Sequence, residues 1–159
     1  FRTIHLDKIV RENIRKLRGD FIMKKLQLTY IPSEETVVSD EKWLSFVIEQ
    51  LLSNALKYTN KGSVTIFFED PKTLCISDTG IGIAPEDIPR IFEKGYTGSN
   101  GRRDKRASGL GLYLCKEICN RLGAKISIIS QVETGTTVKV NLSRDPLNSY
   151  KNVRNQREM

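Results

Sequence analysis

One long helical segment constrains the fold of this chain more than any other feature. A helix is predicted over residues 41–58, because Ser39 or Asp40 can cap its start and Asn60-Lys61-Gly62 ends the pattern. Apolar side chains surround it on almost every side: Trp43, Leu44, Phe46, Val47, Ile48, Leu51, Leu52, Ala55 and Leu56. Such a helix needs other elements to cover it, so we expect it to be largely buried.

Three polar side chains interrupt this apolar helix at regular intervals. Gln50, Asn54 and Lys57 are spaced by four and three residues, which places them on one ridge. A single buried asparagine is best explained as a hydrogen-bonded core amide, since an unpaired one costs about 1–3 kcal/mol. Three aligned polar groups that end in a cation instead indicate a polar cavity. An amide oxygen is a suitable ligand for Mg²⁺, and an ammonium group suits phosphate.

The other predicted elements alternate between strands and helices. A basic helix is expected from Asp7 to about Arg18, with Gly19 as its stop, and a last helix from about Leu110 to Leu122, which Gly123 ends. Strands are predicted at 27–31, 36–38, 64–68, 73–77, 125–130 and 136–142, with a hairpin turn at 69–72 and a helical turn near 85–88. We therefore predict an α/β two-layer sandwich, in which about three helices pack on one side of a mixed sheet.

A carboxylate followed by glycines comes directly after the predicted strand 73–77. The segment is Asp78-Thr79-Gly80-Ile81-Gly82-Ile83. A carboxylate at a strand end can accept a hydrogen bond from an exocyclic amine such as that of adenine, and the glycines allow the backbone to approach a flat ligand. The motif is weak alone, because Asp-x-Gly is common in turns. The chain has no G-x-x-x-x-G-K-[ST] loop and no eukaryotic-type kinase signature, which excludes those two phosphate sites.

Glycines also begin the last predicted helix, in Ser108-Gly109-Leu110-Gly111-Leu112. Small residues at a helix start leave its free amides accessible to phosphate, although they equally suit close helix packing. Residues 79–108 form a long connection, and a loop of this length inside a compact domain is usually functional or mobile. Within it, Phe92 and Tyr96 are expected to anchor the loop by packing rather than to stack on a base.

The net charge of +7 does not predict a nucleic-acid binder, because of where the charge lies. Residues 94–106 hold five basic residues against one acidic residue, and residues 143–159 hold four against two. One stretch is a glycine-rich loop and the other a polar tail, so the chain lacks one broad basic face. Basic residues in a glycine-rich loop suit a polyphosphate at least as well.

The three cysteines are expected to be core thiols in a reducing compartment. Cys75, Cys115 and Cys119 are odd in number and match no zinc spacing, so a redox or metal role is the lesser alternative. No apolar run approaches the roughly 20 residues that span a bilayer. Residues 1–5 do not resemble a signal peptide, and a chain that begins without Met is expected to be a fragment.

In their order and spacing, these segments resemble the Bergerat-type ATP-binding domains shared by sensor histidine kinases, gyrase, heat-shock chaperones and MutL. Residues 49–59 look like the N box, 78–83 and 108–112 like the two glycine boxes, and 91–96 like the phenylalanine box. The resemblance covers about residues 1–142. The run Asn-Ala-Leu-Lys-Tyr-Thr is most similar to histidine kinases, and Phe-Glu-Lys-Gly-Tyr-Thr-Gly to small kinases that sense envelope stress or antimicrobial peptides.

The resemblance implies a role for each matching position. Asn54 is expected to bind Mg²⁺, Lys57 to contact phosphate, and Asp78 to hold the adenine amine of ATP. The other expected nucleotide contacts are Tyr58, Gly80, Gly82, Ile83, Lys94, Tyr96, Arg102, Arg103, Ser108, Gly109, Leu110, Gly111, Leu112 and Thr136. Residues 94–107 are expected to form a lid over the nucleotide, and residues 143–159 a flexible basic tail.

This sequence departs from the family pattern at two places. Gln50 lies where many of these kinases have Asn and where hydrolysing relatives have a Glu that acts as general base. Because Gln does not take up a proton at neutral pH, ATP hydrolysis in its own right is disfavoured. Gly95 and Thr97 replace a frequent Phe and a frequent Arg, so Arg102 or Arg103 is predicted to supply the γ-phosphate contact.

The implied activity is phosphoryl transfer from Mg-ATP to a histidine, with Asn54, Lys57 and Gln50 at the reacting end. His5 lacks the family's acidic neighbour, so the acceptor is expected on a separate dimerisation and phosphotransfer domain that is absent here and that passes the phosphoryl group to a response regulator. The resemblance implies a cytoplasmic domain of a membrane-anchored kinase, with no nucleic acid and no direct membrane contact. The alternatives are a stand-alone ATPase or serine kinase of this fold, or a nucleotide-binding regulatory module without catalysis.

Overall fold

Three helices lie against one face of a five-stranded mixed sheet in the computed structural model, which describes residues 1–96 and 110–143. The helices are α1 (Leu6–Met23), α2 (Glu41–Tyr58) and α3 (Gly111–Leu122). The strands are β1 (Arg2–His5), β2 (Gln27–Tyr30), β3 (Thr36–Ser39), β4 (Ser63–Glu69), β5 (Thr73–Asp78), β6 (Lys125–Gln131) and β7 (Gly135–Asn141). This arrangement confirms the predicted sandwich.

The main sheet has the strand order β2-β4-β5-β7-β6. β2 runs parallel to β4, and the other neighbours are antiparallel. The hairpin predicted at residues 69–72 joins β4 to β5, as expected. Strand β3 does not join this sheet, because it pairs with β1 in a separate two-stranded sheet. His5 therefore lies in a strand, opposite Thr36.

Helix α2 is the central helix of the layer and has the predicted bounds. Asp40 caps it by accepting a hydrogen bond from the Trp43 amide over 3.0 Å. Its buried side chains are Leu44, Val47, Ile48, Leu51, Leu52 and Ala55. This confirms that the helix is largely buried, although the Trp43 side chain near its start is 53% exposed. The sheet, α1 and α3 cover the helix.

Helix α1 continues past its predicted stop at Gly19. The part of the helix beyond Gly19 is stabilised by the packing of Phe21, which is almost fully buried. The helix ends instead at Met23, and the chain turns away at Lys25, whose φ of 60° is left-handed, with the Leu26 amide donating to the Phe21 carbonyl over 3.0 Å. Asp7 is not the cap, since it lies in the first turn, where Arg11 and Tyr30 both donate to its carboxylate.

The remaining boundaries differ little from the predictions. Gly123 ends α3 with a left-handed φ of 74°, and the helical turn forms slightly later than expected, as a 3₁₀ turn at Ile88–Arg90.

All three cysteines are buried and unbridged, which confirms that they are core thiols. Burial raises the pKa of the Cys115 thiol to about 12. None of the helices in residues 1–96 and 110–143 is long and apolar enough to cross a bilayer.

Candidate functional site

Four segments that are distant in sequence meet near the end of α2. The Tyr58 carbonyl accepts a hydrogen bond from the Ile81 amide over 3.0 Å, which joins α2 to the turn after β5. The start of α3 lies beside the same helix, because a Cβ placed on Gly111 would be 3.0 Å from Gln50 Oε1. The fourth segment is the start of β7, where Thr136 pairs with Asp78. The fold thus brings together the N box and parts of both glycine boxes.

Asp78 is the last residue of β5 and is half-buried. Its Oδ1 atom accepts two backbone hydrogen bonds, from Gly80 over 2.9 Å and from Thr136 over 3.1 Å. Within the described part of the chain, no donor bonds to Oδ2. Burial raises the pKa of this carboxyl, and the two amide bonds lower it in part. One oxygen is therefore held in place, and the other can accept a hydrogen bond from a ligand.

Three glycines around Asp78 allow chain segments to approach each other closely. A Cβ on Gly80 would lie 2.4 Å from the Tyr58 carbonyl oxygen. Gly135 has a φ of +137°, and its Cβ would lie 2.0 Å from the Asp78 carbonyl oxygen. Gly82 has a φ of +74°, and its Cβ would lie 2.2 Å from the Gln131 carbonyl oxygen. A side chain at any of these positions would push the turn away from α2 or from the β6–β7 hairpin.

The polar ridge of α2 lies beside this turn. Gln50, Asn54 and Lys57 are all half-buried. Neither amide side chain makes a hydrogen bond with any residue in the described ranges, so the simpler explanation of a hydrogen-bonded core amide is not supported. The Lys57 Nζ atom lies 5.3 Å from the centroid of the Tyr58 ring. The ridge therefore offers two amides that the fold itself does not use.

Loop residues 88–96 lie against α3. Phe92 packs against the core, as expected of a loop anchor, whereas Tyr96 is held by a hydrogen bond that its hydroxyl donates to the buried carboxylate of Asp87. The Lys94 ammonium lies 5.9 Å from the centroid of the Tyr113 ring. Leu112 packs against the core and Leu110 is partly exposed. Arg102, Arg103, Ser108, Gly109 and most of the predicted lid lie outside the described residues.

Sequence reasoning missed three polar residues around the site. Ser130 accepts a hydrogen bond from the Ile83 amide over 2.8 Å and lies 2.7 Å from the Thr136 hydroxyl. Lys24 donates to the Leu56 and Lys57 carbonyls over 2.6 and 3.1 Å, and so stabilises the last turn of α2. No sequence signal marks Ser130 or Lys24, because both act through tertiary contacts.

Thr59 is the third missed residue, and its position directly after Tyr58 was the available signal. It is fully buried beside Gly80, and its hydroxyl has no hydrogen-bond partner among the described residues. An unsatisfied buried hydroxyl is uncommon in folded proteins and often marks a place where water or a ligand binds. It adds a third unused polar group to the same region.

Comparisons with known proteins agree with this arrangement. Residues 39–146 match the family described as histidine kinase-, DNA gyrase B-, and HSP90-like ATPase. The sensor protein BceS of Halalkalibacterium halodurans is 34% identical over 145 residues, which is 89% of this chain and 43% of that protein. The sensor histidine kinase GraS of Staphylococcus aureus is 40% identical over 110 residues, covering 67% of this chain and 32% of that protein.

The chain therefore spans less than half the length of these curated relatives. A solved structure, the mycobacterial sensor histidine kinase MprB, shares the fold with a TM-score of 0.76 at 21% identity, over 89% of this chain and 97% of that one. The matched region contains α2, the turn after β5, α3 and the β6–β7 hairpin, which are the elements that build the site. This chain belongs to the family of histidine kinase-, DNA gyrase B- and HSP90-like ATPases.

Proposed function

We propose that this chain is the ATP-binding catalytic domain of a sensor histidine kinase, cytoplasmic in location, which donates the γ-phosphoryl group of Mg-ATP to a histidine on a separate domain. One observation carries the proposal. Asp78 Oδ2, which has no donor among the described residues, belongs to the same site as the unused side-chain amides of Gln50 and Asn54 on α2. The relatives named as sensor kinases support it. Residues 1–142 form the nucleotide-binding unit in this proposal, and residues 143–159 its tail.

The Asp78 end of the site binds the adenine. Asp78 Oδ2 accepts a hydrogen bond from the exocyclic amine, while the amides of Gly80 and Thr136 hold Oδ1 in place. Gly80 and Gly82 shape the pocket for the flat base, because without side chains the turn packs closely on α2 and on the β6–β7 hairpin. The Ser130 and Thr136 hydroxyls, which lie 2.7 Å apart, are suited to hold water against the ring.

The α2 end of the site binds the phosphates. The Asn54 side-chain oxygen is suited to hold Mg²⁺, since the amide is half-buried and unused by the described residues. When bound, the metal neutralises phosphate charge and orients the γ-phosphoryl group. Lys57 contributes a cation, and the backbone amides that begin α3, where Gly111 lies close to Gln50, are suited to bind phosphate oxygens. Residues 94–107 close over the nucleotide, with Arg102 or Arg103 on the γ-phosphate.

Gln50 makes the site a phosphotransferase rather than a hydrolase. A glutamate at this position would take a proton from an attacking water, whereas the Gln50 amide does not. The nucleophile then comes from outside, as the imidazole of a histidine on the dimerisation and phosphotransfer domain, and a response regulator receives the group afterwards. The proposal places the acceptor outside this chain, since His5 lies in strand β1 and not within a helix.

The proposal is tested with γ-labelled ATP, the chain, and the phosphoacceptor domain of its own full-length kinase as separate proteins. We expect label to pass to the acceptor only when both proteins and Mg²⁺ are present, and phosphate release by the chain alone to stay at background. A control acceptor with its phosphorylated histidine changed to glutamine should receive nothing. Steady multiple-turnover phosphate release by the chain alone would instead assign an ATPase.

A further inference from the structure

A second candidate site lies away from the nucleotide-binding residues, between helix α1 and strand β2. This α1–β2 groove has a volume of about 610 Å³. Three arginines from successive turns of α1 line it, namely Arg11, Arg15 and Arg18, above apolar side chains that include Phe21 and Leu28. No acidic side chain is among its lining residues. The groove therefore combines an apolar floor with a cationic wall.

Two of the three arginines are available to a ligand. Arg11 is partly neutralised, because its Nε donates to Asp7 over 2.9 Å and its guanidinium lies 5.3 Å from the Tyr30 ring centroid. Arg15 and Arg18 are exposed, and neither forms an ion pair with a residue in the described part of the chain. Arginine binds carboxylates through two parallel hydrogen bonds, so a carboxylate-bearing partner suits this wall.

The other side of the groove is an open sheet edge. β2 pairs only with β4 among the described strands. The amides of Gln27 and Ile31 donate to Gly62 and Ile66 on that side, over 3.0 and 2.9 Å. Because backbone direction alternates along a strand, the N–H and C=O groups of Leu28 and Tyr30 point to the open side. Such an edge is a template for one more strand.

We propose that the α1–β2 groove binds an extended acidic segment of a partner protein, which adds to the sheet as a strand beside β2. Alternate Asp or Glu side chains of that segment lie under α1, where they pair with Arg15 and Arg18. A second copy of this chain is a poor occupant, because pairing two β2 edges would bring two sets of arginines together. The groove lies outside the nucleotide site, so this inference does not depend on the proposed function.

The probe is a hexapeptide that alternates threonine with glutamate, titrated into the isotope-labelled chain and followed by NMR. We expect the Leu28 and Tyr30 amide signals to shift and their hydrogen exchange to slow, since both amides gain a partner. Arg15→Glu with Arg18→Glu should weaken binding by about tenfold or more. Arg121→Glu with Lys125→Glu changes two other exposed basic residues and should weaken it by less than about twofold.

Two further arms separate strand addition from simple charge attraction, and neither alters the protein. A peptide N-methylated at alternate residues keeps its charge but cannot pair on one edge, so we expect it to lose binding. Equal binding of the N-methylated and the unmodified peptide overturns the proposal. Binding of the chain to phosphatidylglycerol vesicles, without any response to the peptide, also overturns it and assigns the arginines to a membrane surface.

Discussion

Asp78 is the residue on which nucleotide recognition depends most directly in the proposed site. The fold holds one of its oxygens with two backbone amides and leaves the other without a donor among the described residues. Burying a carboxylate is unfavourable, and two hydrogen bonds offset that cost only in part, as the raised pKa of Asp78 indicates. A residue kept for packing alone would gain from being neutral, so this carboxylate suits a binding role.

Replacing Asp78 with asparagine should separate recognition from folding. In Asp78→Asn, the amide oxygen can still accept the hydrogen bonds from Gly80 and Thr136, but the amino group faces the adenine amine donor to donor. We expect the affinity for a non-hydrolysable ATP analogue to fall by about 10- to 100-fold, measured by isothermal titration calorimetry. The matched control is Asp70→Asn in the exposed β4–β5 turn. Unchanged affinity in Asp78→Asn would remove Asp78 from the adenine site.

The wild type and Asp78→Asn should also differ in how their stability depends on pH. Burial raises the pKa of the Asp78 carboxyl above its ordinary value of 3.8. Between that value and the raised pKa, the folded chain binds more protons than the unfolded chain, so the free energy of unfolding rises as pH falls through this window. The stability advantage of Asp78→Asn over the wild type should thus be largest at pH 7 and shrink toward pH 4. Urea unfolding at a series of pH values measures it, and a pH-independent difference would contradict it.

At the scale of single elements, two glycines have opposite effects on stability. Gly19 lies inside α1 with no atom within 4 Å of a Cβ placed on it. Gly135 begins β7 with a left-handed φ of +137° and contacts the Asp78 backbone. The first glycine weakens a helix without any packing reason, whereas the second is required by the geometry of the site.

This contrast predicts opposite effects of the same substitution. Gly19→Ala should raise the free energy of unfolding by about 1 kcal/mol, because alanine favours the helix over glycine by that amount. Gly135→Ala should lower it by about 2 kcal/mol or more, since the new Cβ would lie 2.0 Å from a carbonyl oxygen. Urea denaturation of each variant measures both values. A stabilising Gly135→Ala would mean that the β6–β7 hairpin does not approach Asp78 as described.

The elements that sequence predicted well are those with local signals. The bounds of α2 followed from its cap and its apolar pattern, and the end of α3 from Gly123. Gly19 misled the prediction for α1, because the tertiary contacts of Phe21 outweigh the helix preference of one residue. The pairing of β1 with β3 has no local signal, since short strands do not encode their partners.

At the scale of the whole molecule, the topology decides what meets at the site. The antiparallel pairing of β5 with β7 places Thr136 opposite Asp78, although the two residues are 58 positions apart in sequence. The family resemblance predicted that the N box and the glycine boxes share one site, and the contacts between α2, the turn after β5 and the start of α3 agree. The contributions of Ser130, Lys24 and the buried Thr59 hydroxyl depend on that topology and could not be predicted from local sequence.

In the proposed site, the nucleotide would contact elements from both halves of the chain, so nucleotide binding should stabilise the molecule as a whole. A ligand at 100 times its Kd adds about 2.7 kcal/mol to the free energy of unfolding, or about 5–10 °C in Tm for a chain of this size. We expect a larger Tm increase with Mg²⁺ than with EDTA in scanning calorimetry with a non-hydrolysable ATP analogue. Asn54→Ala should lose only the Mg²⁺-dependent part, and Asn60→Ala, an exposed asparagine just past α2, should lose none. If Asn54→Ala keeps the full Mg²⁺ increment, the metal binds through other residues.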